Sequence, residues 1–432
     1  MHLTMRKDQR RIRRIAASLA ALLILLLQAS PILTQARRLS QRASTTKTDR
    51  DLRLNGGFIQ FWTDMMEWEW SDSGTPARMP YPVDWGALVR SMREIGMKMI
   101  VIQQTEYAEN GDNDPTRLYK VSDTSPTTPR RDDATEKILT EADPDMTVFM
   151  GLVDVPPSEW DKTVKASPVE LDTYLLDEKK GLATKNIAAA DRIWALYHRH
   201  SSFNGWYIPL EMWNFSFPDN NQEDKNKKVQ SMRRFWKKVT NHLATLDQRD
   251  NKKRDVAIAT YFNSTLIDAK ATEKLYTDLL KDVGIKILML QDGVGARSPV
   301  DWEKLREYYI GFRNACGKNN VTFWTDTELY ESRMIPADIE RLKKQLQVES
   351  EFTVTAIGWD YYQYMNPVVP DCCFDDQGQI ECKEPAQQSV ICQNKDLHNI
   401  INTSAKDRRT LFESYKKLIS SSTRSVLKNR GE

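Results

Sequence analysis

The 432 residues carry 62 Lys+Arg against 60 Asp+Glu, a net charge of +2, without the marked basic excess typical of a nucleic-acid binder. Hydrophobic residues make up 40%, enough for a sizeable core, which excludes disorder throughout. Five His and five Cys leave little material for a metal enzyme, whereas 12 Trp, 15 Tyr and 13 Phe form an aromatic excess.

At the N-terminus six basic residues (Arg6, Lys7, Arg10, Arg11, Arg13, Arg14) precede the apolar run Ile15–Leu27. Its length falls within the roughly 7–15 residues of a signal-peptide core and short of the roughly 20 of a spanning helix. Residues 1–36 are therefore expected to direct export, with small-residue cleavage sites at Ala29 or Ala36. A second reading stays open, in which residues 15–33 form an uncleaved membrane anchor with its basic side in the cytoplasm. Residues 37–54 are rich in Arg, Ser and Thr and read as a solvated linker.

Eight short apolar runs follow, bounded by polar, Gly or Pro residues, as strands buried on both faces would be. They are Gly57–Trp62, Met99–Gln104, Thr147–Val153, Gly205–Leu210, Val256–Phe262, Ile285–Leu290, Val321–Trp324 and Phe352–Trp359. Helical periodicity fills several gaps: Trp85–Ile95, Ala188–Tyr197, Val229–Leu246, Ala271–Val283, Trp302–Cys316 and Ala337–Val348. Eight strand-then-helix units predict an α/β fold, a (β/α)8 TIM barrel over residues 55–425 with long loops at its C-terminal face. A doubly wound open sheet fits less well, because no GxGxxG turn follows the first strand.

Cys372, Cys373, Cys382 and Cys392 crowd into a Cys-rich insertion, residues 368–396, after the eighth strand. In an oxidising compartment such a cluster reads as disulfides, while adjacent cysteines without a CxxC pair suit zinc poorly. Cys316 stands apart and suits a free buried thiol. The sequons at Asn214, Asn263, Asn320 and Asn402 decide nothing.

In a barrel, functional side chains sit where strands end. The predicted exits offer Trp62, Gln103, Gln104, Asp154, Glu211, Trp213, Asn263, Gln291, Asp292, Trp324, Asp326, Glu328, Trp359 and Tyr361. Nearly every exit pairs carboxyls or carboxamides with rings, a combination that suits carbohydrate. Sugars stack their C–H faces on aromatic rings and offer hydroxyls to Asp, Asn and Gln. Two carboxyl groups supply the proton donor and the nucleophile or base that a glycosidic bond requires. Glu211 closes the fourth strand and Glu328 the seventh; Asp326 competes as second carboxylate from one pleat deeper.

These two glutamates resemble those of the large clan of retaining glycoside-hydrolase barrels. More narrowly, Gly57-Phe-Ile-Gln-Phe-Trp62, Glu94–Gln104, Gly205-Trp-Tyr-Ile-Pro-Leu-Glu211 and Gln291-Asp-Gly-Val-Gly295 resemble an uncharacterised glycosidase-like barrel family, known only as a domain of unknown function. Within that clan, the resemblance implies Glu211 as acid/base and Glu328 as nucleophile. One departure is Leu210, where the clan usually has Asn directly before the acid/base.

Asp292 suits either a sugar hydroxyl or the cap of a tight turn, with Gly293 and Gly295 fitting positive φ. Trp194, Trp236 and Trp302, on helices, read as packing, as do His198 and His200 at the end of the barrel away from the mouth. The composite expectation is an exported hydrolase of poly- or oligosaccharide, with no cofactor and no nucleic-acid partner. A glycan-binding barrel without catalysis is the alternative.

Overall fold

The protein is described by a computed structural model covering residues 53–60, 84–107, 134–214, 221–296, 300–332, 335–368, 372–374, 380–382 and 406–421. The export segment, most of the linker, Trp62 and Cys392 lie outside the described residues.

Eight parallel strands close into a barrel: β1 (Gly56–Ile59), β2 (Met99–Ile102), β3 (Thr147–Gly151), β4 (Phe203–Trp213), β5 (Asp255–Tyr261), β6 (Ile287–Gln291), β7 (Thr322–Glu328) and β8 (Ala356–Trp359). Each pairs with its neighbours in chain order, and β8 returns to β1 through Gly56↔Ile357 and Gly57↔Gly358. The helices that follow them are α1 (Trp85–Glu94), α2 (Ala134–Ala142), α3 (Leu182–Tyr197), α4 (Gln222–Arg249), α5 (Ala269–Leu279), α6 (Trp302–Lys318), α7 (Ile339–Glu349) and α8 (residues 406–421). This is the (β/α)8 barrel that the alternation of apolar runs and helical periods predicts. Two further helices, Pro157–Lys165 and Pro168–Leu176, extend the loop between β3 and α3.

Several of the helices begin where short acidic side chains satisfy their free amides. Asp84 accepts from Ala87 N–H at 2.8 Å, Asp268 from Ala271 at 2.8 Å, and Asp301 from Lys304 at 2.9 Å. On their inner faces Leu88, Met92, Leu243, Leu275, Phe312 and Leu346 join one continuous apolar layer outside the sheet. Trp236 is fully buried in that layer, and Trp194 and Trp302 pack against it. His200, close to the start of β4, bonds Asp143 at 2.9 Å and Glu136 at 3.1 Å, well removed from the strand exits.

A second, smaller core fills the barrel itself. Phe58, Val101, Phe149, Tyr207, Ala257, Ala259, Met289 and Ile357 meet there, one or two from each of seven strands. Trp324 supplies the eighth, its ring edge-on to Phe149 at 5.8 Å. α8 seals the barrel beside β1, where the Tyr415 hydroxyl accepts from Leu54 N–H at 2.5 Å.

Of the Cys-rich segment the structure describes an antiparallel pair, Cys372–Phe374 with Ile380–Cys382, whose register sets Cys372 opposite Cys382. Cys316 is a buried free thiol in α6, and burial pushes it up to about 12. Among the described residues no helix is long and apolar enough to cross a membrane.

Closure depends on close approach at Gly151, the last residue of β3. A Cβ there would lie 2.1 Å from Gln103 O and 2.4 Å from Ile102 O, backbone atoms that cannot step aside. Gly151→Ala is expected to destabilise the barrel by about 3 kcal/mol or more, an overpacking penalty at the upper end of the usual range. Thermal unfolding reads it directly.

Candidate functional site

Alternation along the strands decides which side chains enter the barrel. On β7, Trp324 points inward, and Asp326 and Glu328 follow it at two-residue steps toward the C-terminal end. The same count carries β6 from Met289 to Gln291, β2 from Val101 to Gln103, and β8 from Ile357 to Trp359. On β4 it runs from Tyr207 through Pro209 to Glu211, where the ladder to β5 slips between Ile208 and Met212. The layer above the apolar filling is therefore polar and aromatic, drawn from several strand ends.

Glu328 is 4% exposed. Its Oε2 accepts from the backbone N–H of Gly295 at 2.7 Å and of Ala296 at 3.1 Å. The Tyr330 hydroxyl also bonds this carboxyl, and burial together with that negative neighbour drives the phenol well above its ordinary range. Tyr330 stands edge-on to Trp359 at 5.6 Å and stacks on Tyr364 at 5.2 Å. Burial and the charge of Asp292 push the Glu328 carboxyl up to about 8, against the pull of the two amides and Arg341.

Glu211 is reached by solvent from the mouth and surrounded by protein on its other sides. Burial raises it to about 7, moderated by a hydrogen bond from Gln291. Trp160 Nε1 donates to its backbone carbonyl at 2.7 Å, so the helix Pro157–Lys165 fixes this point of β4. Asp154, just beyond β3, is raised to about 8 by burial and by the nearby Glu211 charge. From sequence it is one strand-exit carboxyl among several; its place beside Glu211 depends on the β3–α3 excursion folding back, which no local pattern records.

Asp326 lies one pleat below Glu328, fully buried, and neither carboxylate oxygen has a hydrogen-bond partner among the described residues. Burial holds it protonated well beyond the ordinary range, and the charges of Asp292, Glu328, Glu211 and Asp360 all add to that effect. Asp326 thus senses both glutamates at once. Gln60, at the inner end of β1, is 3% exposed with no partner for its Oε1 among the described residues.

The other expected contacts divide. Trp359 keeps a partly open ring at the mouth and donates from Nε1 to Gln103 Oε1 at 2.9 Å. Trp213 is half-buried against Tyr261 at 6.3 Å. Gln104 is 6% exposed, on the face of β2 opposite to Gln103. Asn263 spends its Oδ1 on its own turn, accepting from Thr265 N–H at 2.9 Å, while its backbone is clamped by the buried Asn214.

Three positions are corrected. Trp324 sits inside the barrel and not at an exit, because β7 continues for four residues past it to Glu328. Tyr361 is fully buried, its hydroxyl 2.7 Å from Ser91 Oγ of α1, so it packs behind β1. Asp292 alternates outward after Gln291; it is 1% exposed and meets Gln345 and Glu349 of α7. Among the described residues no group of three or more His, Cys, Asp or Glu is arranged to hold a metal ion.

Residues 54–371 match the family described as Domain of unknown function (DUF4434). The chain belongs to this family. No curated protein matches it. Among solved structures it is similar to a Bacteroides thetaiotaomicron VPI-5482 protein assigned as an alpha-L-fucosidase, with a TM-score of 0.51 and 15% identity over 83% of this chain and 95% of that one. An endo-beta-1,4-mannanase from Thermotoga petrophila aligns over 85% of this chain and 77% of its own, with a TM-score of 0.47 and 11% identity. At such identities the first likeness is one of fold: the DUF4434 chain is a (β/α)8 barrel.

The unpartnered Asp326 makes a stability prediction. A carboxyl that binds its proton more tightly when folded stabilises most below the ordinary carboxylate range, and that contribution fades as pH rises. Asp326→Asn keeps the shape and removes the titration. It is expected to raise Tm at about pH 8 and to change little near pH 4, as thermal unfolding at both values would show.

Proposed function

We propose that this chain is an exported glycoside hydrolase that cleaves poly- or oligosaccharide with retention at the anomeric carbon. One observation carries the reading: Glu211 and Glu328 face the same barrel mouth, both act on Asp326, and both are displaced upward, to about 7 and about 8. Between those values the two carboxyls together carry about one proton, which rests mainly on Glu328, so the reacting form, with Glu211 protonated and Glu328 ionised, is the minority arrangement of that one proton. One proton on a carboxyl pair is what general-acid attack on a glycoside needs.

In the proposed cycle Glu328 attacks the anomeric carbon as the bond to the leaving oxygen breaks, and the proton on Glu211 passes to that oxygen. Water then adds to the anomeric carbon, giving its proton to Glu211 and releasing Glu328. The Gly295 and Ala296 amides favour the ionised form of Glu328. Gln291, bonded to Glu211, is placed to take over the sugar contact that Asn would provide where this chain has Leu210. Trp359 and Trp213 offer partly open rings for stacking. Export rests on the order of basic and apolar residues in 6–27 and belongs to the same proposal.

Glu211→Gln and Glu328→Gln are each expected to reduce turnover by about 10²–10⁴-fold or more while glycan binding persists. The pH profile of kcat/KM in the wild type is expected to be bell-shaped, with limbs near pH 7 and pH 8 from the two carboxyls. NMR of the first-formed anomer checks retention. If the wild type binds glycans, turns over none of a broad panel, and both variants bind equally, the chain is a glycan-binding barrel instead.

A further inference from the structure

Behind Glu328, on the outer face of the sheet, the seam between β6, β7 and α7 is polar. Asp292, Glu349 and Gln345 are each no more than 1% exposed there. Glu349 Oε2 accepts from the hydroxyls of Thr325 at 3.0 Å and Thr327 at 2.8 Å, and its carboxyl faces that of Asp292 within hydrogen-bonding reach. Two carboxylates in contact away from water cannot both be ionised, so one proton lies between them. Burial raises both carboxyls, and Asp292 has the better claim to the charge of the pair: Oδ1 accepts from Val294 N–H at 3.0 Å, Oδ2 accepts from the Gln345 amide, and Arg341 is close.

Asp292 also opens the turn that serves Glu328. Its bond to Val294 folds the chain at Gly293, whose φ is +66°, and brings the next two amides, Gly295 and Ala296, onto Glu328 Oε2. Arg341 ties the other side, donating to Glu328 O at 2.9 Å, to Tyr330 O at 2.8 Å and to Gln345 Oε1.

We propose that Asp292 is a positioning residue for Glu328: from behind the sheet it shapes the loop that presents two backbone amides to that carboxyl and sets a fixed negative charge beside it, with Glu349 as its proton donor. The inference rests on reading Glu328 as a reacting carboxylate. It assigns to α7, which contributes nothing to the mouth, control over the charge of a group that does.

The charged neighbours of the seam are few. From β7 and its exit, Glu328 feels Asp326 below and Tyr330 above; from α7 it feels Arg341, whose Nε lies 3.8 Å from Glu331. Tyr309 of α6 faces Glu349, Asp292, Glu328 and Asp326. Across the barrel, Glu211 and Asp360 reach Asp326. Of the carboxylates, Asp292 has the largest effect on Glu328.

The test is a titration of full-length protein carrying [5-13C]glutamate, with Glu328 and Glu349 assigned from the spectra of Glu328→Gln and Glu349→Gln. Asp292→Asn is expected to lower the Glu328 midpoint by about one pH unit or more. Glu349→Gln, which still donates to Asp292, is expected to leave that midpoint within a few tenths of a unit. The alkaline limb of kcat/KM, near pH 8, moves with the midpoint in the first variant and stays in the second. A Glu328 midpoint unmoved in Asp292→Asn, or moved equally by both variants, would overturn the proposal. Should Asp292→Asn fail to fold, the wild type still decides: Glu349 is expected to keep its proton through about pH 7, and an ionised Glu349 at that pH sinks the idea. An inactive wild type would count against the hydrolase reading alone, since the carboxyl shifts are read without substrate.

Discussion

The amides of Gly295 and Ala296 meet Glu328 Oε2 at 2.7 and 3.1 Å, and much of the C-terminal end of the barrel is arranged so that this contact forms. A carboxyl nearly closed off from water has its charged form penalised, and only donors aimed at it offset that penalty. Two donors come from a loop that must pass within touching distance of β7. Gly295 makes the passage possible, since a Cβ there would lie 2.1 Å from Tyr330 O and 3.0 Å from the Glu328 oxygen itself. The two glycines of Gln-Asp-Gly-Val-Gly thus have different tasks, one a left-handed turn and the other a close approach.

Apolar runs revealed the strands because barrel strands are buried on both faces. The same criterion misjudged their ends. β7 continues as Thr325-Asp326-Thr327-Glu328 after its aromatic start, and β4 runs on through Glu211 to Trp213. In both cases the polar continuation carries the candidate chemistry, so hydrophobicity fails as a strand signal where function replaces packing. Glu211 and Glu328 were legible nonetheless, since each lay within a few residues of a predicted exit.

Other errors had a remedy in the sequence. Once Met289 is taken as inward, alternation sends Gln291 in and Asp292 out, away from any ligand in the mouth. Trp324 follows the same rule once β7 is given its full length. Asp154 and Asp326 were different. Asp326 shares its face with Glu328, but its lack of any partner is a property of the three-dimensional neighbourhood. The pairing of Asp154 with Glu211 depends on how the strand Val153–Asp154 leaves β3 to pair with Glu106–Tyr107. Composition and periodicity do not encode such encounters.

The polar seam under α7 explains why this helix differs from the others. Apolar contacts between a helix and a sheet carry no directional preference of their own, whereas hydrogen bonds do. The bonds joining Thr325 and Thr327 to Glu349, and Arg341 to the carbonyls of Glu328 and Tyr330, are directional and define one seating of α7 against β7. A buried network of this kind adds little net stability but makes displacement expensive, since each broken bond strands a charge or dipole away from water. The rigidity is delivered at Glu328, where β7 ends and a shift of a fraction of an ångström would loosen both amide contacts. The apolar barrel supplies stability, and the polar seam under α7 supplies aim.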